Sequence, residues 1–193
     1  MTMMKYYLGG INGAGKTTLL HAIKEAAPGF EIIKGSHAFM DYLGIPGDYD
    51  ALRKLSHNDD ADRKFQEMLT NITSRPGDVV FDGHYLNIVR GDVFPIAGSG
   101  IAGFDAILLL RISTDTVLRR IEADQHKRDR ALFPDGATPE ERRAILDDYI
   151  AKYEAEFNRC ATGYGLKSKV LDAEKPTAEI LKDFLAFDRE LRK

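Results

Sequence analysis

The sequence predicts an α/β fold, a five-stranded parallel sheet with helices on both faces, as a single domain over residues 1–193. Three observations carry this. Short apolar strand patterns alternate with longer helical ones five times, and right-handed crossovers turn such alternation into a parallel sheet. The first strand–helix junction is Gly10-Ile11-Asn12-Gly13-Ala14-Gly15-Lys16-Thr17, followed by Thr18, and it fits the phosphate-loop spacing G-x-x-x-x-G-K-[ST]. The third strand, Asp78-Val79-Val80-Phe81-Asp82, ends in an acid at the same edge of the sheet as that loop.

In order, Lys5-Tyr6-Tyr7-Leu8 reads as the first strand and Thr17 to Ala27 as a helix stopped at Pro28. Phe30 to Lys34 is the second strand, and Gly35-Ser36-His37-Ala38-Phe39-Met40 is a loop running into a short helix. Two helical pieces follow, Asp50 to about His57 and Ala61 to about Ser74, the second with Phe65, Met68, Leu69 and Ile72 at helical spacing. After Asp82, the glycine-rich stretch Gly83 to Gly103 reads as mostly loop, and a loop that long in a compact domain is usually functional. Ala106 to Ile112 is a strand apolar on both faces. Ser113 or Thr114 caps a helix carrying Val117, Leu118 and Ile121 that turns basic. Thr138, Pro139 and Glu141 suit N-cap, N1 and N3 of a helix running to about Ala161, ended by Gly163. Ser168 to Asp172 is the last strand and Thr177 to Leu191 the closing helix.

Composition excludes several classes. A net charge of −3 supplies no global field for nucleic acid or an anionic membrane. No apolar run approaches the ~18 residues of a membrane span, and Met1-Thr2-Met3-Met4-Lys5 leads into the first strand without a signal-peptide core. The single cysteine, Cys160, forms no intrachain disulfide and reads as a buried thiol on a helix. A cytoplasmic protein is expected, without nucleic-acid or membrane partners; composition says nothing of its oligomeric state.

The chemistry expected at the loop is phosphate binding. Glycines let successive N–H groups turn inward, so Gly10, Asn12, Gly13, Ala14, Gly15 and Thr18 are expected around ATP phosphates at a helix N-terminus. Lys16 supplies a point charge to the β- and γ-phosphates, and the Thr17 hydroxyl is a ligand for Mg²⁺. Asp82 suits a second Mg²⁺ contact, direct or through water. The basic segment Arg119-Arg120…Lys127-Arg128-Asp129-Arg130 reads as a lid over 119–138. Arg119 falls on its ATP side, and Arg128 and Arg130 serve the transferring phosphoryl group. The alternative for that segment is a solvated helix face paired with Glu122, Asp124 and Asp129. His84, two residues after Asp82, is either a substrate contact or a polar loop residue.

Phosphate loop, strand-end acid and basic segment in this order resemble the nucleoside monophosphate kinases, and among these the archaeal-type adenylate kinases. Asp50-Ala51-Leu52-Arg53-Lys54-Leu55 is similar to their Asp-x-x-Arg-Lys-Leu segment, with Gln66 where they carry a glutamine. Phe81-Asp82-Gly83-His84 resembles their strand-end Asp-x-His, and the similarity spans about residues 5–132. Tyr49 stands where the relatives place an arginine, and Gly35-Ser36-His37-Ala38 differs from their loop; both lie on the acceptor side. The resemblance implies the P-loop NTPase fold with a helical acceptor segment over 35–75 and a lid. Arg53, Gln66 and His84 would meet the acceptor, and ATP and AMP would give two ADP with Mg²⁺. A hydroxyl acceptor (nucleoside, sugar or antibiotic) would instead need a base, for which Asp82 and Asp50 are candidates. A regulatory P-loop ATPase is the third reading.

Overall fold

β1 (Lys5–Gly9) is buried at all five positions because it takes the middle of the sheet. The computed structural model describes residues 2–55, 59–96, 98–124 and 132–193. After β1 come α1 (Lys16–Ala26), β2 (Phe30–Lys34), α2 (Gly35–Tyr42), α3 (Tyr49–Lys54), α4 (Asp59–Thr73) and β3 (Asp78–Asp82). A hairpin of β4 (Leu86–Val89) and β5 (Asp92–Pro95) and a 3₁₀ turn over Ser99–Gly103 follow. The chain closes with β6 (Ala106–Arg111), α5 (Thr114–Asp124), α6 (Pro139–Gly163), β7 (Lys167–Asp172) and α7 (Thr177–Leu191).

The sheet order is β2-β3-β1-β6-β7, every neighbouring pair parallel, so the five expected strands form one sheet. Side chains alternate across a strand, and β1 uses both faces. Tyr6 packs edge-on against Phe184 of α7 and Phe30. Tyr7 packs on the other side against Phe81, Tyr85 and Phe104, and Tyr85 in turn meets Tyr153 and Phe157 of α6. α6 and α7 therefore cover opposite faces. α6 starts where the pattern requires: Thr138 Oγ1 accepts from Glu141 N at 3.2 Å, and Thr138 N donates to Glu141 Oε2 at 2.7 Å.

The stretch from Gly83 to Gly103 departs from expectation. It holds the antiparallel hairpin and the 3₁₀ turn instead of plain loop. The two-residue turn Arg90-Gly91 has φ of 51° and 91°, the left-handed pair that matches strand twist in tight hairpins. The buried side chains of Leu86 and Ile88 alternate with half-buried Asn87. Pro95, which lacks an N–H, stands at the end of a two-stranded ribbon where no further strand needs one. Cys160 is buried, its thiol pushed up to about 11 chiefly by burial.

Close approach makes Gly9 obligatory. A Cβ there would lie 2.2 Å from the Tyr85 ring, itself fully buried. Gly9→Ala is expected to cost about 1–3 kcal/mol through overpacking, lowering Tm by several degrees; thermal unfolding of this variant checks it, and an unchanged Tm would mean the ring moves freely.

Candidate active site

The phosphate loop is built by two glycines in left-handed backbone, Gly13 at φ 87° and Gly15 at φ 93°, which side-chain-bearing residues rarely adopt. Ala14 N donates to Ile11 O at 3.1 Å, closing the curl, and α1 begins at Lys16 with Gly15 as its N-cap. Lys16 Nζ donates to Gly10 O at 2.6 Å, so its ammonium is held across the loop. Arg120 of α5 reaches over and donates from Nη1 to Gly13 O at 2.9 Å.

This loop lines a cavity of 680 Å³ with Asp82, Arg120, Lys175 and Thr177. The register of β1 against β3 pairs Leu8 with Asp82, so the strand-end acid stands beside the loop. Burial pushes the Asp82 carboxyl above the usual carboxylate range, while the Lys16 and Lys34 ammonium groups pull it back. Burial, and then the Lys16 charge, hold His84 well below the ordinary imidazole range, so it stays neutral near pH 7. His84 Nδ1 is buried and has no hydrogen-bond partner among the described residues. Such a group calls for a ligand or water.

A second cavity of 490 Å³ adjoins the first, and Ser36, Asp82 and His84 line both. Its walls are aromatic and aliphatic, with Phe39, Phe65, Phe81 and Phe94 prominent, and Asp59, Asp62 and Asn87 supply polar groups. Ser36 arrives at the junction because α2 starts directly from the end of β2, without an intervening loop.

The structure brings Asn12, Gly13, Ala14, Gly15, Lys16, Thr17, Thr18, Asp82 and His84 together as the lining of the first cavity. Gly10 stands behind them as the carbonyl that holds Lys16. Gln66 goes elsewhere: its Oε1 accepts from Gly100 N at 2.7 Å and its Nε2 donates to Ile96 O at 3.4 Å, so its amide braces the chain after β5. A Cβ at Gly98 or Gly100 would lie within 3.0 Å of the Gln66 side chain, so the amide would have to shift to admit one. Arg119 also differs from expectation. It donates to Thr116 Oγ1 at 3.1 Å and lines a cleft between α5 and α6, while its neighbour Arg120 faces the phosphate loop. One residue of helix is a 100° turn, enough to exchange the two. Asp50 lies in the first turn of α3. Arg53 belongs to α3 and its side chain lies outside the described residues, as do Arg128 and Arg130. Sequence reasoning missed Ser36, Lys175 and Thr177, and gave Arg120 no role beyond its place in the basic segment. The rule that ligands gather at strand carboxyl ends pointed to Lys175 and Thr177, which follow the end of β7.

The donor set suits Mg²⁺. The Thr17 hydroxyl and the Asp82 carboxylate are hard oxygen ligands lining one cavity, and Mg²⁺ is commonly held by one or two such groups with substrate phosphates and water.

The family model described as an AAA domain matches residues 9–133, about two thirds of the sequence. The chain belongs to this AAA-domain family. The matched segment of the AAA domain runs from the end of β1 through α5, so it contains the phosphate loop, Asp82 and Arg120. An adenylate kinase of Pyrobaculum aerophilum is 28% identical over 128 residues, which cover 63% of this chain and 64% of the relative. Among solved structures, shikimate kinase from Bacteroides thetaiotaomicron aligns with a TM-score of 0.71 at 14% identity, covering 97% of this chain and 99% of that one. Deoxyadenosine kinase from M. mycoides with bound dATP aligns with a TM-score of 0.56 at 17% identity, covering 96% and 100%. The fold of this AAA-domain protein is therefore the P-loop kinase fold. α6, β7 and α7 lie beyond the matched segment, yet Lys175 and Thr177 complete the first cavity.

Proposed function

We propose that the protein is an ATP-dependent small-molecule kinase, acting as one domain, cytoplasmic and without nucleic-acid partners. One observation carries this reading: the phosphate-loop cavity and a second, substrate-sized cavity meet at Asp82, His84 and Ser36. Donor and acceptor bound on either side of that junction would have their reacting atoms adjacent, and holding two reactants in place is most of what phosphoryl transfer asks of a protein. Loop N–H groups and Lys16 would bind the donor phosphates, and Arg120 would cover them. Mg²⁺, held by Thr17 and Asp82, would neutralise charge on the phosphates. By the resemblance, Arg128 and Arg130 would meet the transferring group and Arg53 the acceptor. His84 Nδ1, neutral and unpartnered, is proposed to contact the acceptor.

The finer reading is a nucleoside monophosphate kinase of the adenylate kinase kind, converting ATP and AMP to two ADP. Its support is the Asp50–Leu55 segment and the similarity to the P. aerophilum enzyme. A second reading, a hydroxyl acceptor, is favoured by the second cavity. Its described walls offer Asp59 and Asp62 beside aromatic rings, a poor environment for a phosphate dianion. There Asp82 would take the hydroxyl proton.

ADP formation from Mg·ATP across AMP, other monophosphates, nucleosides, sugars and aminoglycosides decides. Strong stimulation by AMP is the outcome expected of the finer reading. Stimulation by hydroxyl acceptors alone would keep the kinase and replace its acceptor. Hydrolysis that no acceptor stimulates would instead make the protein a regulatory ATPase.

A further inference from the structure

Two loops that face different substrates hang on one oxygen atom. Gly10 N and Tyr85 N both donate to Tyr153 Oη, at 2.9 and 3.1 Å. Gly10 opens the phosphate loop just past the end of β1, and its carbonyl holds Lys16 Nζ. Tyr85 directly follows His84, past the end of β3, where the two cavities meet. Neither amide belongs to a strand ladder, so the tyrosine is what satisfies them. Both acceptor positions of the phenol oxygen are thereby used.

The support around this atom is rigid. Tyr153 is fully buried on α6, and the Tyr85 ring packs edge-on against it with centroids 5.6 Å apart. Tyr7 Oη donates to His84 O at 2.6 Å, fixing the same loop from the sheet side. Tyr149, one turn earlier on α6, donates to Leu86 O at 3.1 Å and so holds the hairpin. Burial keeps the Tyr153 phenol protonated at physiological pH.

We propose that the Tyr153 hydroxyl is a positioning residue that sets the donor loop and the acceptor-side loop relative to one another, so that filling one subsite orders the other. The proposal rests on the kinase reading above for what the two subsites bind. A site pre-formed around its ligand binds it more tightly because less ordering remains to be done. Removing the shared acceptor frees both loops at once.

The test compares wild type with Tyr153→Phe and Tyr149→Phe, using Mg²⁺ and a non-hydrolysable ATP analogue as the probe. Nucleotide affinity is measured by calorimetry, and exchange of the Gly10 and Tyr85 amides by ¹⁵N NMR. In wild type, nucleotide is expected to slow both amides together. In Tyr153→Phe it binds about tenfold more weakly, ~1.4 kcal/mol, and the Tyr85 amide no longer responds to it. Tyr149→Phe loses a comparable buried hydrogen bond, and is expected to lower Tm while binding nucleotide within about twofold of wild type. Unchanged affinity in Tyr153→Phe, or an equal loss in Tyr149→Phe, overturns the proposal, because either makes the hydroxyl merely structural. Should Tyr153→Phe not fold, the wild-type measurement decides: a joint response supports the proposal and independent responses of the two amides end it. Should wild type bind no nucleotide, the kinase reading fails, and the positioning claim is judged by whether Tyr153→Phe accelerates both amides together.

Discussion

Lys16→Ala is expected to abolish turnover while leaving the fold intact. The Lys16 ammonium is held across the phosphate loop by the Gly10 carbonyl, in the same cavity as Asp82 and His84. Its charge also lowers the Asp82 and His84 titrations, so it already acts on the rest of the site without substrate. In phosphoryl transfer the charge on the donor oxygens grows toward the transition state, where a pre-placed cation acts most strongly. A loss of at least about a thousandfold in kcat/KM follows from removing it. The side chain is only half-buried at a helix N-terminus, so far-ultraviolet dichroism and Tm should stay close to wild type. The acceptor panel repeated on the variant checks this; activity within tenfold of wild type would remove the phosphate loop from the chemistry.

Asp82→Asn is expected to separate activity from stability. Turnover falls at least about a hundredfold, since the carboxylate is a Mg²⁺ ligand in either reading and the base in one. Stability moves the other way. Burial raises the Asp82 carboxyl above its ordinary value, with Lys16 and Lys34 opposing only in part. A carboxyl that holds its proton more tightly folded than unfolded adds stability fully below its unfolded pKa, and that contribution is lost as pH rises through the folded value. At pH 7 the ionised group is therefore a net cost, which asparagine removes. Tm of the ligand-free variant should exceed wild type at pH 7, by about 0.5–2 kcal/mol in stability, and the difference should shrink on acidification through the raised carboxyl range. A variant less stable than wild type at pH 7 would show that ionised Asp82 is paired strongly enough to outweigh its burial. Strain held at a site for function, at the expense of stability, is the pattern the prediction tests.

Much of this arrangement was legible in the sequence because it is written locally. Gly13, Gly15 and Lys16 announce the loop through backbone conformations only glycine takes readily and through a fixed spacing to one lysine. Thr138, Pro139 and Glu141 announce α6 through groups within one turn of each other. The hairpin was legible too, in the alternation around Arg90-Gly91, but the surrounding glycines outweighed it. Gln66 was misplaced because an amide reads alike whether it meets a substrate or the backbone of the 3₁₀ turn. The choice between Arg119 and Arg120 was invisible because helical rotation is set by how α5 packs.

Local patterning thus determined by itself the five strands of the parallel sheet and the main helices between them, the phosphate loop and the acid at the end of β3. Only the tertiary structure decided that two cavities meet at Ser36, Asp82 and His84, and that Tyr153, some 143 residues from Gly10 along the chain, holds both loops. The reason is physical: conformational preference and capping act over a few bonds, whereas a cavity or a shared hydrogen-bond acceptor exists only once distant segments have been packed onto one core.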